Sequence, residues 1–64
     1  MSYQLADMNN GPYGDTFDTL PAAASALAQA IEEGTLYNMR EGDMPRETAE
    51  SMARSFYTIV EAAQ

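Results

Sequence analysis

The chain contains no cysteine, no histidine, no tryptophan and no lysine, and its entire positive charge is three arginines. Without Cys or His, a disulfide scaffold, a zinc site and most nucleophile–base pairs are excluded by composition. Three bases against ten acids leave a net charge of −7, the wrong sign for direct binding to nucleic acid or to anionic membranes. Long hydrophobic runs are also missing. The least polar stretch, Leu20 to Ile31, is dominated by alanine and too short to span a bilayer. The start Met1-Ser2-Tyr3-Gln4 has neither the basic nor the apolar region of a targeting segment. These absences predict a soluble protein of the cytoplasm that uses no cofactor and no metal.

Sixty-four residues set a ceiling of one domain, 1–64, because a chain below roughly 70–80 residues builds only a thin core. Hydrophobic residues make up 45% of it, the globular norm, which separates it from a disordered acidic tail. Charged residues are 20%, slightly under the usual quarter, so the −7 reflects missing bases rather than crowded acids.

Tyr3 to Met8 reads as a short strand. Asn9-Asn10-Gly11-Pro12 breaks it with the chemistry of a type I′ turn, and a second strand through Thr16 and Phe17 completes a hairpin. Thr19 is placed to cap a first helix, with Pro21 tolerated in its first turn. Leu20, Ala24, Leu27 and Ile31 form its apolar stripe, and Gly34 is expected to stop it. Thr35 to Arg40 alternates like a third strand, and Glu41-Gly42-Asp43 turns the chain. A second helix is expected from Pro45, capped by Asp43, with Ala49, Met52, Ala53, Phe56, Ile59, Val60 and Ala63 as its stripe. The expected fold class is α+β: two helices packed on a small two- or three-stranded antiparallel sheet. No repeat or linker interrupts it. Homodimerisation would help so small a core, but neither a heptad nor an edge-strand signal decides between monomer and homodimer.

Catalytic chemistry has little to work with. Laid on a calcium loop, Asp7, Asn9, Asp15 and Asp18 fall at ligand positions, but Pro12 stands where the sharp turn needs Gly. Asp18 is one methylene short of the bidentate Glu, so turn chemistry explains these residues better. The carboxylate pairs Glu32/Glu33 and Glu47/Glu50 come with no sign of a pocket, and no Ser or Thr has a His or Lys to activate it. The protein reads as a non-enzyme. Aromatics that could stack on bases lack the basic groove that accompanies them. Phe56 is assigned to packing, and Tyr57 to a boundary or contact position.

The acids divide into two sets. Asp15 and Asp18 suit turn and cap roles, and Asp43 and Glu47 lie at the start of the second helix. Glu50 pairs with Arg54 at i, i+4. Asp7, Glu32, Glu33, Glu41 and Glu61 have no such local reason. In the expected fold, Glu32 and Glu33 close the first helix and Glu61 the second, where the helix dipole disfavours them. Local rules broken without a visible gain mark candidate functional positions.

In size, acidity and lack of a catalytic set, the chain resembles the small phage-encoded anti-CRISPR proteins that act as DNA mimics. The resemblance covers the whole chain as a profile: the short Asn-Gly turn, the Ala-rich helix, Gly34 and the second helix. It rests on no diagnostic motif and carries over no residue by alignment. Leu5-Ala6-Asp7-Met8-Asn9-Asn10-Gly11 is also similar to the start of plasmid antirestriction proteins, which are longer DNA mimics. The resemblance implies a non-enzymatic inhibitor of a type I CRISPR system, type I-C in particular. Its acidic surface would occupy a basic DNA- or PAM-reading surface of the Cascade complex. Glu32, Glu33, Glu41 and Asp43 are the first candidates for that contact, with Glu61 and Asp7 next. The alternative is an acidic protein–protein interaction domain, antitoxin-like or a regulatory adaptor, that binds through an apolar face.

Overall fold

The computed structural model describes residues 1–62. Its elements run β1 (Ser2–Asp7), β2 (Gly11–Phe17), α1 (Leu20–Glu41), α2 (Arg46–Phe56) and β3 (Tyr57–Ala62). The three strands form one antiparallel sheet in the order β2-β1-β3, with the helices packed on it, so the class is α+β.

The β1–β2 hairpin turns through Met8, Asn9 and Asn10, with Asp7 opposite Gly11. Gly11 takes a φ of +76° while neither Asn does. The loop is therefore a three-residue turn closed by a left-handed glycine, not the expected type I′ turn, which needs positive φ at both central residues. Asp7 shapes it: Oδ1 accepts the amides of Asn9 at 2.9 Å and Asn10 at 2.6 Å. Pro12 is accommodated because β2 is an edge strand. Between Gln4 and Leu5 the β1–β2 register shifts, leaving Gly14 and Asp15 in a bulge. There Gly14 has a φ of +75°, and its carbonyl accepts the Gln4 side-chain amide at 2.9 Å.

Thr19 caps α1 as its sequence predicts, its Oγ1 accepting the Ala22 amide at 3.3 Å. The helix then passes through Gly34 and continues to Glu41, so the expected stop and the third strand at Thr35–Arg40 are both overturned. The buried stripe explains why. Ala23, Leu27, Ile31 and Thr35 recur every four residues with Leu27 half-buried and the others buried, while Leu20 and Ala24 of the predicted stripe are exposed. A glycine inside a helix costs about 1 kcal/mol relative to alanine, but here it lets α2 come close. A Cβ on Gly34 would lie 3.3 Å from Ala53 Cβ and 3.2 Å from the Tyr57 ring.

The connection to α2 uses Asp43 in the left-handed region at φ +52°, a conformation that Asp tolerates better than most residues. Asp43 is thus not the cap. Pro45 holds the N-cap position without a side-chain hydrogen bond, and α2 starts at Arg46. The second helix is also shorter than expected. It ends at Phe56, and Ile59, Val60 and Glu61 belong to β3, while Ala63 lies outside the described residues. Thr58, Ile59 and Val60 are three consecutive β-branched residues, which fit a pleated strand better than a helix. β3 follows α2 with no loop, and the Met8 amide donates to the Phe56 carbonyl at 3.0 Å where they meet.

Among the described residues, Leu5, Ala6, Ala23, Ile31, Ala49 and Ala53 are the buried apolar ones. Four of them are alanines, so the layers close by short approach rather than by large interlocking side chains. At 22 residues α1 is far longer than the six-residue β1, so it extends past the sheet, and most of its packing is against α2. The molecule is accordingly elongated, 40 × 22 × 14 Å.

Candidate functional site

The overhanging helix pair carries a groove of about 410 Å³. Gly34, Tyr37, Met52, Ala53, Phe56 and Tyr57 line it, with Glu33 and Asn38 supplying polar groups. Tyr37 and Met52 line the groove and are 58% and 50% exposed. Asn38 is held in place by its Nδ2, which donates to the Ala49 carbonyl at 3.2 Å. The Phe56 and Tyr57 rings meet edge to face at 4.9 Å, and Tyr13 from β2 lies 6.4 Å beyond. Burial raises the Tyr13 phenol above its usual value, and Tyr57, Asp7 and Glu33 add to the effect. Of these two acids, Glu33 lines the groove, and Asp7 lies opposite Tyr57 in the sheet.

The other candidate acids are not gathered there. Glu32 and Glu33 occupy the middle of α1 rather than its last turn, so the dipole penalty expected for them does not exist. Glu32 accepts a 2.6 Å hydrogen bond from Arg46 Nη2, which ties α1 to the start of α2. Glu41 is the true last residue of α1 and is engaged by its neighbour Arg40 at 3.2 Å. Asp43 sits in the interhelical loop at the tip of the overhang. Glu61 lies on β3 opposite Tyr3, toward the other end of the sheet, and not in a helix. Asp7, read as lacking a local reason, has one in the hairpin turn. The amide of Asn10 holds its carboxyl below the ordinary 3.8, assisted by the Asn10 side chain and the Asn9 amide against a desolvation cost.

Glu50 pairs with Arg54 at 2.6 Å, as its i, i+4 spacing predicts, and approaches Arg46 at 4.0 Å. All three arginines thus face acids of their own chain. Glu33, Asp43, Glu47 and Glu61, with Asp15 and Asp18, have no cationic partner among the described residues. No group of three or more potential metal ligands is found among the described residues, Asp7, Asp15 and Asp18 included. Among the described residues no helix is long and apolar enough to cross a membrane.

The groove was not legible in the sequence, although two of its residues carried a signal. Tyr57 reads as a boundary residue, and the sequence points to Gly34 for its backbone freedom, whereas its missing side chain is what makes room here. Tyr37 and Met52 were hidden by the incorrect strand and by assignment to a buried stripe. No family model matches the chain, and no curated protein or solved structure matches it either.

Proposed function

We propose that this chain is a non-enzymatic binding protein that seats on the basic, nucleic-acid-binding surface of a partner protein and blocks it. The action is that of the small phage anti-CRISPR DNA mimics. A DNA- or PAM-reading subunit of Cascade, met in the cytoplasm of a bacterial host, is the partner in this reading. The observation that carries it is the fate of the three arginines. Each is taken up by Glu32, Glu41 or Glu50, so the described surface offers a partner free carboxylates and no free guanidinium.

Magnitudes limit what is mimicked. Duplex DNA as long as this molecule, 40 Å, carries about 24 phosphates at one per about 1.7 Å. Against that stands a net charge of −7. Such a surface replaces a short stretch of phosphates, as at a PAM-reading site, rather than a whole bound duplex. Glu33 and Asp43 become the leading contacts, because Glu32 and Glu41 are occupied by Arg46 and Arg40. Asp7 lies opposite Tyr57 in the sheet, and Glu61 extends the acidic surface along the same pair of strands.

The groove supports a second reading, in which Tyr37, Met52 and Phe56 receive an apolar segment of the partner and the acids only steer it. Inhibition of Cascade binding to target DNA separates the two. For the acidic surface, Glu33→Arg with Asp43→Arg lowers inhibition at least tenfold, and raising the salt weakens complex formation steeply. For the groove, Met52→Ala is the damaging change and salt has little effect. Full inhibition by both variants, with folding checked by circular dichroism, rejects both contact surfaces.

A further inference from the structure

The two edges of the sheet are built differently. β2 is guarded by Pro12, by the Gly14–Asp15 bulge and by positive φ at Gly11 and Gly14, devices that prevent another strand from pairing. β3 has none of them. Its six residues, Tyr57-Thr58-Ile59-Val60-Glu61-Ala62, pair with β1 in unbroken register and contain no Pro, no Gly and one charge. Among the described residues its outer side has no strand against it. The central strand shows what a second neighbour does: Leu5 and Ala6 are both buried, whereas Ile59 and Val60 are only half-buried.

We propose that β3 pairs antiparallel with β3 of a second copy of this chain, giving a continuous six-stranded sheet, β2-β1-β3 followed by its two-fold mate. Residues opposite each other must share a face, so the two-fold axis passes through a residue paired with itself. At Ile59 it sets Ile59 against Ile59, Thr58 against Val60 and Tyr57 against Glu61, which keeps the two Glu61 carboxylates apart. At Val60 it sets Glu61 against Ile59, an acid against an aliphatic side chain. The Ile59 register is therefore the one adopted. Because α1 rests on β1 and β3 alike, joining the edges places two α1 helices side by side over the seam. Their separation is roughly two strand spacings, about 10 Å, the distance at which helices pack, and the alanines of α1 leave room for it.

The dimer goes beyond the functional reading and is tested on the chain alone, so the failure of one does not imply the failure of the other. Their salt dependences are also opposite. Two chains of −7 repel, so raising the salt from about 0.1 M to about 1 M strengthens self-association while it weakens an electrostatic partner complex. Sedimentation equilibrium of the unmodified protein is expected to give twice the 7.0 kDa chain mass at high salt and to move toward one chain at low salt. Since the chain has no cysteine, Ile59→Cys reports one contact. Under mild oxidation it forms a covalent dimer, and Thr16→Cys on the guarded edge does not. A mass of one chain at millimolar concentration and high salt leaves the edge to some other strand and overturns the dimer. Thr16→Cys crosslinking as fast as Ile59→Cys, with both variants folded, overturns it as well.

Discussion

Gly34→Ala opposes two effects of similar size at one position. Replacing a mid-helix glycine by alanine gains about 0.8–1.0 kcal/mol of helix propensity. Against it, the new Cβ would stand 3.3 Å from Ala53 Cβ and 3.2 Å from Tyr57 Cε2. Both distances are shorter than ordinary van der Waals contact. Ala53 is 2% exposed and its Cβ is fixed to the α2 backbone, so it yields only if the two helices separate. The Tyr57 ring is held edge-on by Phe56 at 4.9 Å and has Tyr13 at 6.4 Å. Overpacking of this kind costs about 1–3 kcal/mol, so the expected net effect is a loss of about 1 kcal/mol. In a domain of this size that lowers Tm by about 4–8 °C. Urea and thermal unfolding followed by circular dichroism measure it. Ala28→Gly, at an exposed site in the same helix, calibrates the propensity of α1 and is expected to cost about 1 kcal/mol. Stabilisation by Gly34→Ala as large as the loss from Ala28→Gly would refute the close approach of α1 and α2.

Two further outcomes follow from single contacts. Thr35 is fully buried, and its Oγ1 donates to the Ile31 carbonyl at 2.7 Å. Thr35→Val keeps the shape and loses one hydrogen bond, so urea unfolding is expected to shift by no more than about 1 kcal/mol. Thr35→Asp buries an unpaired charge and is expected to abolish cooperative unfolding. Asp7 gives a pH dependence. Its folded pKa lies below its unfolded value, so its contribution is present above the ordinary 3.8 and is lost as pH falls through the folded value. Between about pH 5 and pH 2 the urea midpoint of the wild type is expected to fall further than that of Asp7→Asn, which keeps an acceptor but no titratable charge. Parallel curves would remove the Asp7 carboxylate from the hairpin's stability.

The parts of the fold legible in the sequence are those decided within a few residues. The Asn-Gly break, the Thr19 cap, the Glu50–Arg54 pair and the strand at Tyr3 each rest on neighbours close in the chain, and all are found in the structure. Gly34 misled because its intrinsic preference points to a helix end, while its role is set by Ala53 and Tyr57, about twenty residues away. That one reading displaced Thr35–Arg40 into a strand and put Glu32 and Glu33 at a helix terminus. Continuing the second helix through Ile59 and Val60 followed a helical period where a β-branched run was the better guide. For three of the candidate acids the sequence argument is electrostatic and concerns helix ends. It fails for Glu32, Glu33 and Glu61, and the reason to consider Glu33 is now its place on the groove.

By itself the sequence determines the composition-level facts: a small acidic chain without cysteine or histidine chemistry. Charge and residue type survive any fold, so no tertiary contact can alter them. Which carboxylates are free is another matter. Glu32 is neutralised by Arg46 fourteen positions on, Glu33 beside it is not, and the two look identical in the chain. Only the packing of α1 on α2 separates them, because an ion pair is chosen by distance in space, and that distance is set here by a glycine against an alanine.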